Sequence, residues 1–167
     1  LLTEAERDEI AARGNPQRRA DRLLGRVAAK RAVSALTGRP PDRFRIQSAE
    51  SGEPLVLADD GTPMPRVSIS HRAGEAMAIA TENGRPGIDL EIVEERHPSF
   101  AETWFRPSER EWTAGIASRE SQVWAIKEAV LKALGTGMRL DPREVEVVSV
   151  RDETAQVRLW GEVSDRH

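Results

Sequence analysis

Two short segments limit what this chain can be more than any other part of it. One is Trp124-Ala125-Ile126-Lys127-Glu128-Ala129-Val130-Leu131-Lys132-Ala133-Leu134-Gly135, and the other, upstream, is Gly87-Ile88-Asp89-Leu90-Glu91. On a helix, Trp124, Glu128 and Lys132 recur every fourth residue and line one face. On a strand, Asp89 and Glu91 point the same way, with Ile88, Leu90 and Ile92 as the buried face that orients them. Three carboxylates and the two lysines, Lys127 and Lys132, could then converge. Such a set suits a hard divalent cation, here magnesium, bridging phosphate groups: oxygen donors for the metal, ammonium groups for the phosphates. Taken alone, the acids read equally well as a solvated strand and a Glu128–Lys132 helix pair.

The composition narrows the field. The chain has 167 residues, enough for one domain or two small halves sharing a core. It has no cysteine, which excludes disulfides, zinc–thiolate sites and a cysteine nucleophile. No apolar run reaches the roughly 20 residues of a membrane span, and no signal-peptide pattern opens the chain, so a cytoplasmic location is expected. A net charge of −3 gives no bulk attraction to nucleic acid. Between Arg13 and Arg45, however, ten Lys or Arg residues face only two acids. That local excess suits an anionic ligand, or is simply a solvated helix surface. The chain starts Leu1-Leu2, which is consistent with excision from a longer polypeptide or with missing first residues.

Periodicity gives the element order. A polar helical lead-in precedes Asn15-Pro16, a helix start, and a helix over Gln17–Leu36 with Arg18, Arg22, Arg26 and Lys30 along one face. Gly38-Arg39-Pro40-Pro41 ends it. Strands are expected at Arg43–Ala49, Val67–Ser70, Ala76–Thr81 and Gly87–Ile92, with a few strand-like residues at Leu55–Leu57. Helical segments follow at Ser99–Trp104, Glu109–Ala117 and Gln122–Leu134, and then strands at Val145–Val150 and Thr154–Trp160. The order implies an α+β chain, a single domain over 1–167 with αβ halves at about 1–84 and 85–167, although no sequence repeat relates them.

Asp89 lies thirty-nine residues before Glu128. The two segments, in that order and at that distance, resemble the 4'-phosphopantetheinyl transferases, whose signature is Gly-(Ile/Val)-Asp-x-Glu followed by Trp-x-x-Lys-Glu-(Ala/Ser)-x-x-Lys-x-x-Gly. The resemblance runs from about Arg18 to Trp160 and is strongest to the two-halved type that activates siderophore and peptide synthetases. It implies two similar αβ halves forming a pseudo-dimer, and transfer of 4'-phosphopantetheine from coenzyme A to a serine of an apo acyl or peptidyl carrier protein. The by-product would be 3',5'-adenosine bisphosphate. Magnesium would sit on Asp89, Glu91 and Glu128. Glu128, Lys132 and Asp89 would carry catalysis, while Arg18, Arg22, Arg26, Ser70, His71, Lys127 and Lys132 would bind coenzyme A. The expected partners are that carrier protein and coenzyme A, with no nucleic acid and no membrane; a monomer is expected, with a trimer as the alternative.

Other readings stay open. Trp124 is either a wall of the site or a core anchor. Glu109 matches a family Phe-(Ser/Thr)-x-x-Glu element or simply stabilises a helix N-terminus. The segment Phe100–Ser118 is where a carrier protein would dock through Trp104, Phe105 or Trp112, unless these aromatics are core. Ser70-His71 resembles no nucleophile elbow, and no second histidine has ligand spacing to His71, which argues against zinc. Two departures from the family stand out: Gly52-Glu53-Pro54 replaces its Gly-Lys-Pro, and Lys132–Gly137 looks more like the small trimeric holo-acyl-carrier-protein synthases. Rival functions are a non-catalytic scaffold binding coenzyme A or a carrier protein, and a magnesium-dependent pyrophosphate hydrolase. If the chain is a piece of a larger synthase, its carrier is expected in the same polypeptide.

Overall fold

A computed structural model describes residues 1–12, 14–161 and 164. Arg13, the first residue of the basic stretch, lies outside them. The chain forms two compact units, Leu1–Leu90 and Glu91–His167, so the division falls just beyond the Asn83–Pro86 turn.

The first unit begins with helix α1 (Glu4–Ala11), capped by Thr3, and helix α2 (Pro16–Thr37). Asn15 starts α2 by accepting from the N–H groups of Gln17 and Arg18 at 2.9 and 3.3 Å, and Pro16 needs no donor in the first turn. Gly38, at φ +69°, closes the helix in the left-handed region. A 3₁₀ turn at Pro41–Arg43 leads into strand β1 (Phe44–Ser48), paired antiparallel with β2 (Pro54–Ala58), Phe44 opposite Ala58. Strands β3 (Arg66–Arg72) and β4 (Glu75–Thr81) form a second antiparallel pair, with Ser70 opposite Met77. Helix α2 packs on β3 and β4. Its buried stripe, Ala29 and Val33, meets Phe44, Ile46 and Val67 in the core, each large apolar side chain contributing about 1.5–3 kcal/mol.

The second unit carries α3 (Ser99–Trp104), α4 (Pro107–Thr113) and α5 (Ala117–Leu134), then a 3₁₀ turn at Pro142–Glu144 and the antiparallel pair β5 (Val145–Arg151) and β6 (Thr154–Leu159). A bulge shifts the β5–β6 register between Val147 and Ser149. Its core holds Phe105, Val123 and Val147, with Phe100, Trp104 and Trp124 packed around them. The last three are edge-on or tilted, Phe100–Trp124 at 5.1 Å and Trp104–Trp124 at 5.8 Å between ring centroids. No helix among the described residues is long and apolar enough to cross a membrane.

The expected strand at Gly87–Ile92 is not formed; residues 87–92 have no regular secondary structure. They are tied down by side chains instead. Ser68 Oγ accepts from the Ile88 N–H at 3.2 Å, and Ser121 Oγ donates to the Ile92 carbonyl at 3.1 Å. Ile92 is 40% exposed, so the expected buried face does not extend to it.

Candidate functional site

The charged stripe of α2 divides along its length. Lys30 is wholly buried and Arg26 nearly so, whereas Arg18 is exposed. Around Arg18, Arg22 and Arg26 lies a cavity of about 500 Å³, completed by Asn15, Ser48, Gly52, Pro54, Ile69 and His71. Gly25 lets α2 come this close to β3: a Cβ there would meet Ile69 Cγ2 at 3.0 Å. Glu9 of α1 and Ser48 at the end of β1 hold the arginines. Arg22 Nη1 reaches Glu9 Oε1 at 2.8 Å and Ser48 Oγ at 3.1 Å; Arg26 Nη2 reaches the same two atoms at 3.5 and 3.3 Å. Burial pushes the Arg26 guanidinium below its ordinary value, with Glu9 opposing that shift, yet an arginine stays charged. Its Nε is buried and has no hydrogen-bond partner. Three guanidinium groups against two carboxylates, Glu9 and the cavity-lining Asp21, leave the cavity net cationic, a setting for anion contacts in the planar, two-pronged manner of arginine.

His71 lines this cavity, but Ser70 does not share its direction. Along β3 side chains alternate: Ile69 and His71 face the cavity, while Ser68 and Ser70, both nearly buried, face the other way. Ser70 Oγ donates to Asp89 Oδ1 at 2.8 Å. Ser70 is therefore on the face of β3 opposite to the one that lines the cavity. Glu53, the departure from Gly-Lys-Pro, is paired with Arg85.

Lys127 lies inside the second unit. Its ammonium group is wholly buried, 2.8 Å from Glu109 Oε2, and donates to the carbonyls of Pro142 at 3.0 Å and Val145 at 2.5 Å. Burial lowers its affinity for the proton and Glu109 works against that. Its donors are directed at protein oxygens and its side chain is closed off from solvent. Five helical residues rotate the chain by about 140° beyond a full turn, so Lys132 lies well away from the Lys127 face. Glu128 and Lys132, four apart, share a side of α5, and both are half-buried. Trp124 is half-buried and packs against the core of the second unit, and Glu109 is buried at the start of α4, accepting from the Arg106 N–H at 2.7 Å.

Of the acids, Asp89 closes the first unit, while Glu91 and Glu128 belong to the second. Glu91 is already engaged: Arg96 Nη2 stands 2.9 Å from its Oε2, and the Arg96 guanidinium lies 4.3 Å over the Phe100 ring. Among the described residues, no three acid or histidine side chains form a ready-made metal cage. As a donor set, Asp89, Glu91 and Glu128 are all hard oxygen, the chemistry that suits magnesium.

Sequence reasoning missed Glu6, Glu9, Ser48, Ser68 and Arg96. Only Glu6 had a visible signal, the Thr3-x-x-Glu6 capping pattern; the others depend on contacts between segments far apart in the chain or on a short-range pair with no motif.

The sequence model of the 4'-phosphopantetheinyl transferase superfamily matches residues 85–167. A 4'-phosphopantetheinyl transferase, gsp, of Aneurinibacillus migulanus is 29% identical over 121 residues, covering 70% of this chain and 48% of its own. The L-aminoadipate-semialdehyde dehydrogenase-phosphopantetheinyl transferases of Mus musculus and Homo sapiens are 25% and 23% identical over 141 residues, covering 74% of this chain and 45% of theirs. The chain thus spans about half the length of the curated relatives it matches. By its Asp89 and Glu128 motifs and by these matches, the chain is similar to members of the 4'-phosphopantetheinyl transferase superfamily.

Proposed function

We propose that this chain transfers the 4'-phosphopantetheine group of coenzyme A to a serine of an apo acyl or peptidyl carrier protein. The observation that carries this reading is the cationic cavity of the first unit, whose innermost arginine has a buried, unpartnered Nε, in a chain whose other unit matches the family. Arg18, Arg22, Arg26 and His71 take the nucleotide phosphates of coenzyme A. Asp89, Glu91 and Glu128 would hold Mg²⁺, which when bound neutralises the pyrophosphate. Lys132 offsets charge on the phosphates. The carrier serine Oγ forms a bond to the phosphorus that bears the pantetheine arm, the bond from that phosphorus to the bridging oxygen breaks, and 3',5'-adenosine bisphosphate leaves. Glu128, or a water it orients, accepts the serine proton. The work asked of the protein is positioning and charge neutralisation.

The two units are read as the halves of a pseudo-dimer in a monomeric, cytoplasmic protein. For the carrier, the α4–α5 connection is the favoured surface: Trp112 and Ile116 are 39% and 44% exposed, with Arg119 5.8 Å over the Trp112 ring. Phe105 is buried in the core of the second unit, and Trp104 is half-buried against it.

Intact-mass spectrometry of apo carrier proteins incubated with the chain, coenzyme A and magnesium tests the reading. A gain of one phosphopantetheine on serine, abolished by EDTA, is expected. Free phosphopantetheine without protein modification would instead indicate a hydrolase. No product at all, with coenzyme A bound, would indicate a scaffold.

A further inference from the structure

Helix α1 sends two acids toward α2, and they are held very differently. Glu6 is 2% exposed and fixed by Lys30, Thr3 and the Ile46 N–H. Glu9, three residues on and on the same side of the helix, keeps 30% of its side chain in solvent. A single oxygen, Oε1, serves two guanidinium groups: Arg22 Nη1 at 2.8 Å and Arg26 Nη2 at 3.5 Å. Arg26 is 5% exposed, is repelled by Arg22, and has a buried Nε with no hydrogen-bond partner. Its contact with Glu9 is longer than an ordinary hydrogen bond. The other acid of the cavity wall, Asp21, accepts from Gln17 Nε2 at 2.9 Å. A carboxylate shared by two arginines stands where the oxygens of an anionic ligand would be bound. Moving it asks little of the backbone. Ile10, 8% exposed, and Glu6 anchor α1, so the Glu9 side chain turns without the helix leaving α2, into water it already meets.

We infer that Glu9 is a displaceable counter-ion of the arginine cavity: it holds Arg22 and Arg26 in the free protein, and the phosphate of an entering nucleotide takes them over as Glu9 turns out to solvent. Ligand and carboxylate do the same work for Arg26, one at a time. Glu9 thereby offsets the desolvation of a buried guanidinium and limits how tightly the cavity holds an anion. This rests on the reading that the cavity receives the nucleotide phosphates of coenzyme A.

The test titrates 3',5'-adenosine bisphosphate into the full chain by calorimetry, with urea unfolding of the free protein alongside. Glu9→Gln is expected to tighten binding by about fivefold and to lower the unfolding midpoint. The charge that opposes the ligand is the one that stabilises Arg26, so the two effects have opposite signs. Glu9→Asp keeps the charge but draws it back by one methylene; it should shift both quantities the same way by less, and serves if Glu9→Gln does not fold. Weaker binding in either variant would overturn the inference and make Glu9 a residue that positions the arginines. Unchanged binding would overturn it as well. Arg18→Ala, titrated in parallel, tests the cavity itself. Parental affinity there would take the nucleotide out of the cavity, and the inference with it. Weakened binding there, without tightening in the Glu9 variants, would bring down the inference alone.

Discussion

Glu6 and Glu109 make the same set of contacts, each inside its own unit. Glu6 Oε2 accepts from the Thr3 N–H at 2.8 Å and pairs with Lys30 at 2.8 Å, and its Oε1 accepts from the Ile46 N–H at 2.8 Å. Glu109 Oε2 accepts from the Arg106 N–H at 2.7 Å and pairs with Lys127 at 2.8 Å, and its Oε1 accepts from the Val147 N–H at 2.7 Å. The lysines match too: Lys30 donates to the carbonyls of Pro41 and Phe44, Lys127 to those of Pro142 and Val145. In each unit a short helix, a long helix, a 3₁₀ turn and the following strand are locked by one buried ion pair, although the intervening sequence spacings differ. These contacts recur although no sequence repeat relates the two stretches.

Breaking such a pair strands a charge. Lys127→Ala is expected to destabilise the chain by about 3–5 kcal/mol, because Glu109 then stays buried without its counter-charge. Replacing both residues, Lys127→Met with Glu109→Leu, should cost less than Lys127→Ala. Urea unfolding checks both. If the folded fraction of Lys127→Ala binds coenzyme A with the parent affinity, the lysine is structural; a selective loss of that affinity would restore it to the phosphate site.

The Glu6 pair predicts a pH dependence. Burial would raise its pKa, but hydrogen bonds from Lys30, Thr3 and Ile46 outweigh that and hold the carboxyl below its ordinary value. A carboxylate depressed on folding stabilises fully above its unfolded pKa of about 4.3, and that share is lost as pH falls through the folded value. The stability gap between the parent and Glu6→Gln should therefore be largest near neutrality and shrink below about pH 4.3. Denaturant midpoints of both proteins at neutral and acid pH measure it; a gap that widens in acid would contradict the pairing.

Glu128→Ala should lower the transfer rate at least about a hundredfold with the fold intact, since the side chain is only half-buried on α5. Single-turnover kinetics with circular dichroism alongside decide it, and near-parental activity would remove Glu128 from the mechanism.

Arg18 is the exposed arginine of the cavity, whereas Arg22 and Arg26 are held by Glu9. Arg18→Ala should raise KM for coenzyme A by about tenfold, the scale of one hydrogen bond to a charged group. The folding midpoint should stay near that of the parent. A KM unaffected by this change would move the nucleotide away from the cavity.

What the sequence determined by itself was local. Helical and strand periods located α2, α5 and the β5–β6 pair, and Asn15-Pro16, Gly38 and Gly135 marked helix ends, since caps and side-chain periods act over a few residues. The spacing of Asp89 and Glu128 carried the family. Tertiary structure decided which charged residues are buried and paired and which stay at the surface. Arg18, Arg26 and Lys30 look alike along α2, yet only packing against α1 and β1 sends Lys30 inward to Glu6 and leaves Arg18 outside. Lys127 and Lys132 look alike on α5, yet Glu109, Pro142 and Val145 consume one of them. A charge enters the interior only where a partner from elsewhere in the chain compensates its desolvation, and such partners lie beyond the reach of any local pattern.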